Sequence, residues 1–283
     1  MFQLWPSQSP DLTAKQNRYD WCQTLSSLDN VPVPCVGSLD MEPESIVIDD
    51  LVVLGRSSPD TMKDGRVSVC VAGYSPHVGF IRLYPTRLDS PLRMWSIVQV
   101  PVERNEQDAR VESWKIKGSK SEWPRLSDKI TVVGEMEREN RLAFIMPLVS
   151  GCVADINEQR KSLGIVKPIS KRCYLEDRED YDPSFQMTIF GKVLISDKHK
   201  YGLQPRVAYK CEKCRAAQTH DQQILEWGVY EWFRKNPGEE EKVWDNLFSK
   251  ESQQEILFLV GNLARHPSSF MVVSILRIPV LPH

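Results

Sequence analysis

Long hydrophobic runs are missing from this chain. Its longest apolar segments, Ile256 to Val260 and the proline-broken Phe270 to Leu281, are far shorter than the roughly 20 residues a helix needs to cross a bilayer. No membrane-spanning helix is therefore expected. The first residues, Met1-Phe-Gln-Leu-Trp-Pro6, contain no basic stretch followed by an apolar one. That lacks the secretory signal pattern and leads to the expectation of a cytoplasmic protein. Catalytic signatures are missing as well. Gly191-Lys192 is followed by Val193, with no upstream glycine at the distance a phosphate loop requires, and neither His-Glu-x-x-His nor Gly-x-Ser-x-Gly occurs. The five histidines, His77, His199, His220, His266 and His283, are too dispersed to nominate a general base. The chain is read as having no catalysis of its own. Seven cysteines, an odd number and mostly scattered, fit reduced thiols better than a disulfide framework.

What is present suits a soluble globular protein of two modest bodies. The chain has 283 residues, 41% of them apolar and 26% charged, enough to bury real cores. Its net charge of −2 conceals an uneven spread. Residues 1–60 hold nine acids against three bases, residues 160–215 thirteen bases against seven acids, and residues 221–255 nine acids against four bases. A locally positive surface on a slightly acidic protein is one reading, and solvated loops are the other.

Four parts follow one another. Residues 1–45 are polar and proline-punctuated, with a helix expected at 12–25, and read as an extension. Residues 46–150 contain short β-type segments at 46–54, 67–72, 80–84, 95–102, 130–133 and 142–146. That spacing argues for a small barrel or sandwich. Residues 151–184 read as a linker with a short helix near 155–163. Residues 185–283 begin with strands at 185–195 and 206–210. An amphipathic helix is expected over about 220–235, because Ile224, Leu225, Gly228, Val229, Trp232 and Phe233 recur on one face. Segments 256–260 and 270–278 close the chain as a hairpin.

Val67 to Arg87 is the most informative stretch. Branched apolar residues lead into Gly73-Tyr-Ser-Pro-His-Val-Gly79, and Phe80-Ile-Arg-Leu-Tyr84 returns, the pattern of a β-hairpin. Alternation puts Ile81 and Leu83 on one face and Phe80, Arg82 and Tyr84 on the other. Taken with Val52-Val-Leu-Gly-Arg-Ser57, Cys70-Val-Ala-Gly73, Phe80-Ile-Arg-Leu-Tyr-Pro85, a later Cys/His-containing loop and Ile224-Leu-Glu-Trp227, the chain resembles the dual OB-containing domain family of bacteria, OB standing for oligonucleotide/oligosaccharide-binding. The resemblance covers about residues 46–282. It implies a mainly β fold of two tandem OB-like barrels with a helix inserted in the second. It also implies a nucleic-acid role, in bacterial defence or mobile-element settings.

An OB barrel holds single strands by offering a basic groove to the backbone and aromatic platforms to the bases. The expected contacts are Arg82, Tyr84, Arg87, Trp123 and Arg125, with Lys115 and Lys117 neutralising phosphates. Trp114, by alternation with the lysines, is read as core. Trp123, in a polar Ser-Glu-Trp-Pro segment, is the better platform. The partner expected is single-stranded nucleic acid, bound with little sequence preference.

Cys211-Glu-Lys-Cys214, with His220 six residues on, has the spacing of a zinc knuckle short of one ligand. Cys173, His199 or His266 were the candidates to complete it. Two reduced thiols, a redox pair, or a histidine engaged in helix capping explain the same residues. Two further functions stand beside nucleic-acid binding. One is a protein-interaction or regulatory subunit using the aromatics of Trp227, Trp232, Phe233 and Trp244 to Phe248. The other is a zinc-dependent enzyme with an open fourth position.

Overall fold

The fold is that of a computed structural model, which describes residues 45–62, 64–178 and 201–280. The expected extension 1–44, the helix at 12–25 and the strand at 185–195 lie outside the described residues. The described residues are mainly β, 49% strand and 23% helical.

The first half is a closed five-stranded barrel. Its strands are β1 (Ser45–Arg56), β3 (Val67–Ser75), β4 (Gly79–Thr86), β5 (Ser96–Arg104) and β6 (Ser113–Ile116), with the two-residue β2 (Asp60–Thr61) beside β3. They pair in the circuit β1-β3-β4-β6-β5 and back to β1, the five-stranded arrangement expected of an OB barrel. Only β4 and β6 run parallel. Closure depends on β1 serving two neighbours. Ser45 to Val52 pairs with β5, Val52 to Arg56 pairs with β3, and register shifts between Ile48 and Leu51 and between Val53 and Gly55 bend the strand. The period of two sends Val69, Val71, Ile81, Leu83, Val98 and Val100 inward, all at most 1% exposed. Trp114 and Ile116 are also core, as their alternation predicts. β7 (Thr131–Glu135) extends the sheet from β5.

The strand expected at 142–146 is instead the end of α1 (Arg138–Ile145). Leu142 and Ile145 lie one helical turn apart, and both pack against the apolar junction described below. A short apolar run carries no period of its own, so neighbours decide its form.

Residues 151–178 do not link two bodies. After β8 (Val149–Ser150) come α2 (Val153–Glu158), β9 (Leu163–Val166) and β10 (Pro168–Asp177), all built into the second half. β9 is buried at every residue, as a strand covered on both faces must be. The remaining strands are β11 (Leu203–Cys211), β12 (His220–Gln223), β13 (Gln254–Leu263) and β14 (His266–Pro279). The helix expected over 220–235 begins only at α3 (Trp227–Lys235), and α4 (Val243–Phe248) follows. Residues 220–223 pair with β11 instead. The strands form two sheets, β10-β11-β12 and β14-β13-β9-β8. One parallel bridge, Ile224 to Val272, joins them on the far side, with the Leu225 amide donating to Val272 O at 2.7 Å. Among the described residues the second half is thus two sheets joined by one bridge, and the expected second barrel is not closed by a continuous ladder.

The two halves share a core. Val52, Leu54 and Ala72 on the outside of the barrel meet Leu163, Ile165, Leu257 and Leu259. Gly55 lies against Ser274, where a Cβ would come within 2.4 Å of the serine Cβ, so any side chain would force the halves apart. Arg56 is largely buried over the Trp227 ring, 4.1 Å from its centroid. Burial, with Arg93 close by, brings its guanidinium down to about 10. Arg82 crosses the junction. It is 5% exposed and donates to Ser162 O at 2.9 Å and Asn262 O at 3.1 Å. Glu112 accepts from the Ser162 amide and hydroxyl, both at 2.8 Å. Arg82→Ala removes two charge-assisted bonds, although Ser162 O keeps the Asn262 amide and Asn262 O keeps Arg110 as donors, and should cost about 2–3 kcal/mol in urea unfolding. An unchanged midpoint would show that the junction does not depend on this side chain.

Candidate functional site

One cleft of about 210 Å3 lies where the barrel is left open. Its walls come from three places: the β1–β3 connection (Met62, Arg66), the end of β4 (Tyr84, Pro85), and the β5–β6 connection (Asn105, Glu106, Gln107) with Lys115 of β6. Its rim is the 3-10 helix Lys120–Lys129, which contributes Lys120 and Trp123. This helix is firmly anchored. Glu122 accepts from the Ser119 amide at 2.8 Å and from Lys129 Nζ at 2.7 Å. The Lys129 ammonium, and then the Ser119 amide, hold its carboxyl down to about 2.

The cleft brings together three of the expected contacts, Tyr84, Lys115 and Trp123. Trp123 is half-buried. It packs on the barrel core and carries the Arg66 guanidinium 4.7 Å from its ring centroid. Arg66 is in turn paired with Asp64 at 2.5 Å, and Lys115 with Glu103 at 3.2 Å. Arg87 pairs with Asp89 at 2.5 Å and reaches Trp123 O at 3.4 Å, so it braces the aromatic from behind. Lys117 is exposed, bonds Ser45 Oγ at 3.1 Å, and borders a shallower neighbouring groove with Lys129. Arg125 is exposed on the rim helix.

Arg82 is not a surface contact. The alternation that put it opposite Ile81 and Leu83 holds, but that face of β4 is covered by the second half, and Arg82 serves as the junction clamp. Sequence reasoning missed Arg66, while Lys120 is visible there as one of the cations interleaved with Trp114 and Trp123 but is not among the expected contacts. Arg66 directly precedes a strand, and only the barrel's closure carries that connection around to Trp123.

A second cluster lies in the other half. Cys211 ends β11, Cys214 follows in a tight turn whose amide donates to Cys211 O at 3.2 Å, and His220 opens β12. The fourth member is Cys152, next to α2, from the segment read as a linker. The four ligand atoms lie within 4.8 Å of one another. Cys152 and Cys211 are at most 1% exposed, while Cys214 and His220 are half-buried. The His220 ring packs on buried Tyr209 at 5.3 Å. Neither of the expected completing residues that are described, Cys173 and His266, takes part. His266 is exposed on β14, His199 lies outside the described residues, and Cys173 packs elsewhere, beside Lys171 and Glu251.

Residues 48–146 match the family model described as "Domain of unknown function (DUF8758)". Residues 153–282 match the one described as "Domain of unknown function (DUF8757)". No curated protein matches the chain. Cys152 falls in the gap just before the second matched region, which contains Cys211, Cys214 and His220.

The aromatics considered as an interaction surface are engaged within the fold. Phe233 is buried at 1% exposure, Trp227 packs on the barrel core beneath Arg56, and Trp232 Nε1 donates to Glu239 O at 3.2 Å.

Burial pushes the Cys173 thiol up to about 12, against the opposing pull of Lys171. Only about one molecule in ten thousand carries it as thiolate at pH 8, and the thiolate is the reactive form. Alkylation of the folded protein at pH 8, followed by mass spectrometry, should therefore leave Cys173 unlabelled until the chain unfolds. Rapid native labelling would contradict its place in the core.

Proposed function

We propose that the protein binds single-stranded nucleic acid in the barrel cleft, with little sequence preference and without catalysis. The observation that carries this reading is the meeting of Tyr84 and Trp123 with Arg66, Lys115 and Lys120 on one cleft. That cleft occupies the face of a closed five-stranded barrel, flanked by the first and last inter-strand connections, where OB barrels take their ligands. The chemistry divides simply. A base stacks on the Trp123 indole or on the guanidinium that already covers it, and Tyr84 offers a second ring. Lys115, Lys120 and Arg66 meet phosphates. Arg66 is paired with exposed Asp64 and Lys115 with half-buried Glu103; ion pairs at the surface contribute about 1 kcal/mol or less, so phosphate replaces them at small cost. Stacking and phosphate contacts read no base edges, which accounts for the expected sequence tolerance.

Anisotropy titrations with fluorescent single-stranded DNA, single-stranded RNA and duplex test the reading. Affinity for single strands should fall linearly on a log scale with log salt. Trp123→Ala should weaken it by about 1–3 kcal/mol, roughly 5- to 150-fold, while Lys235→Ala on α3 leaves it unchanged. Absence of binding at low salt sinks the proposal and favours an interaction subunit.

A further inference from the structure

The cluster of Cys152, Cys211, Cys214 and His220 plays no part in the cleft. We propose that it holds a structural zinc ion in a closed three-cysteine, one-histidine site, which ties the β8–α2 corner to the loop joining β11 and β12.

Distances carry the first part of the argument. Tetrahedral zinc, with sulfur at about 2.3 Å and nitrogen at about 2.0–2.1 Å, sets its sulfurs about 3.8 Å apart and each sulfur about 3.5 Å from the nitrogen. Cys152 Sγ and Cys214 Sγ are 3.8 Å apart, and His220 Nε2 is 3.4 Å from each of them. Hydrogen bonding does not account for that geometry, because a neutral imidazole nitrogen offers either one proton or one lone pair, and here it faces two sulfurs equally. A disulfide does not account for it either. It would draw two sulfurs to about 2.05 Å and leave the third thiol and the imidazole without a purpose.

The surroundings suit an ion at the centre. Three thiolates around a dication carry a net charge of minus one. The Lys210 side chain, near the end of β11, is fixed by the loop carbonyls Ala216 O and Ala217 O at 3.2 Å each and supplies the opposite charge. The Val153 amide is directed at the Cys211 sulfur, the kind of outer contact that holds a metal ligand in orientation. The two segments are already stitched together by backbone. The Lys213 amide donates to Gly151 O at 3.2 Å, and the Glu212 amide to Lys167 O at 2.9 Å. Gly151 permits the approach, since a Cβ there would come within 2.9 Å of Asp155 Oδ2 and 3.2 Å of Lys213 Cβ.

With four protein ligands no coordination position is left for water or substrate, which makes the ion structural and removes the open-site enzyme reading. Its mechanical effect reaches the junction, because the corner it pins leads through α2 to Ser162, the acceptor of Arg82.

The test uses the full chain, purified under reducing conditions without chelator. Elemental analysis should find one zinc per chain, and the cobalt-substituted protein should show the intense d–d absorption of a tetrahedral site with thiolate charge transfer. Cys152→Ser should lose most of the bound metal, whereas Cys173→Ser keeps it. A strong chelator should lower the melting temperature of the wild type. Wild-type protein with reduced thiols that retains no zinc and gives no tetrahedral cobalt spectrum would overturn the proposal. So would a Cys152–Cys214 disulfide in anaerobically handled protein, or full zinc retention by Cys152→Ser. If Cys152→Ser does not fold, the wild-type cobalt spectrum decides.

Discussion

The packing of one half of this protein on the other constrains everything else in it. A small barrel closes on its own interior, but the outer faces of β1 and β3 carry Val52, Leu54 and Ala72, which are apolar and need cover. The second half supplies it through β9 and β13. Apolar burial drives this contact, and Arg82 gives it a register. A guanidinium that donates to two carbonyls from different segments, Ser162 and Asn262, makes both bonds in one alignment of the halves only. Charge placed in such a core is costly unless paired or bonded, which makes the alignment specific as well as stable.

Closing that face determines where a ligand has room. The side of the barrel facing the second half is spent on structure, and the open side gathers the β1–β3 and β5–β6 connections with the rim helix. Trp123 stands there because the Glu122 carboxylate and Lys129 anchor the helix beneath it. Its neighbours come from positions spread between Met62 and Trp123 in the chain. In the other half the same economy recurs. Cysteines 58 or more positions apart in sequence, Cys152 from Cys211 and Cys214, meet at the foot of β11 because β9 and β10 run on from the corner that holds Cys152.

Alternation made much of the first barrel legible. In Phe80-Ile-Arg-Leu-Tyr84 and Trp114-Lys-Ile-Lys117 the side chains fall on the faces their parity assigns, because a strand has a strict period of two and needs no tertiary information to show it. Residues 142–146 and 151–178 were harder. The first is too short to display a helical period, and the second hides a fully buried strand, Leu163 to Val166, behind a charged approach. The Cys211-Glu-Lys-Cys214 knuckle and His220 were visible by spacing, since a tight turn places both thiols on one side. Cys152 has no such local mark.

Local chemistry in the chain therefore determined the hairpin, the inward and outward faces of its strands, the knuckle, and the closing strands at 254–263 and 266–279. Which outward face stays wet was decided only by tertiary structure. Parity says which side of a strand a residue takes, but whether that side meets water or another sheet depends on chain 80 or more residues away, as Ser162 and Asn262 are from Arg82. Arg82 and Tyr84, two positions apart on the same face of β4, went to a buried junction and an open cleft for that reason.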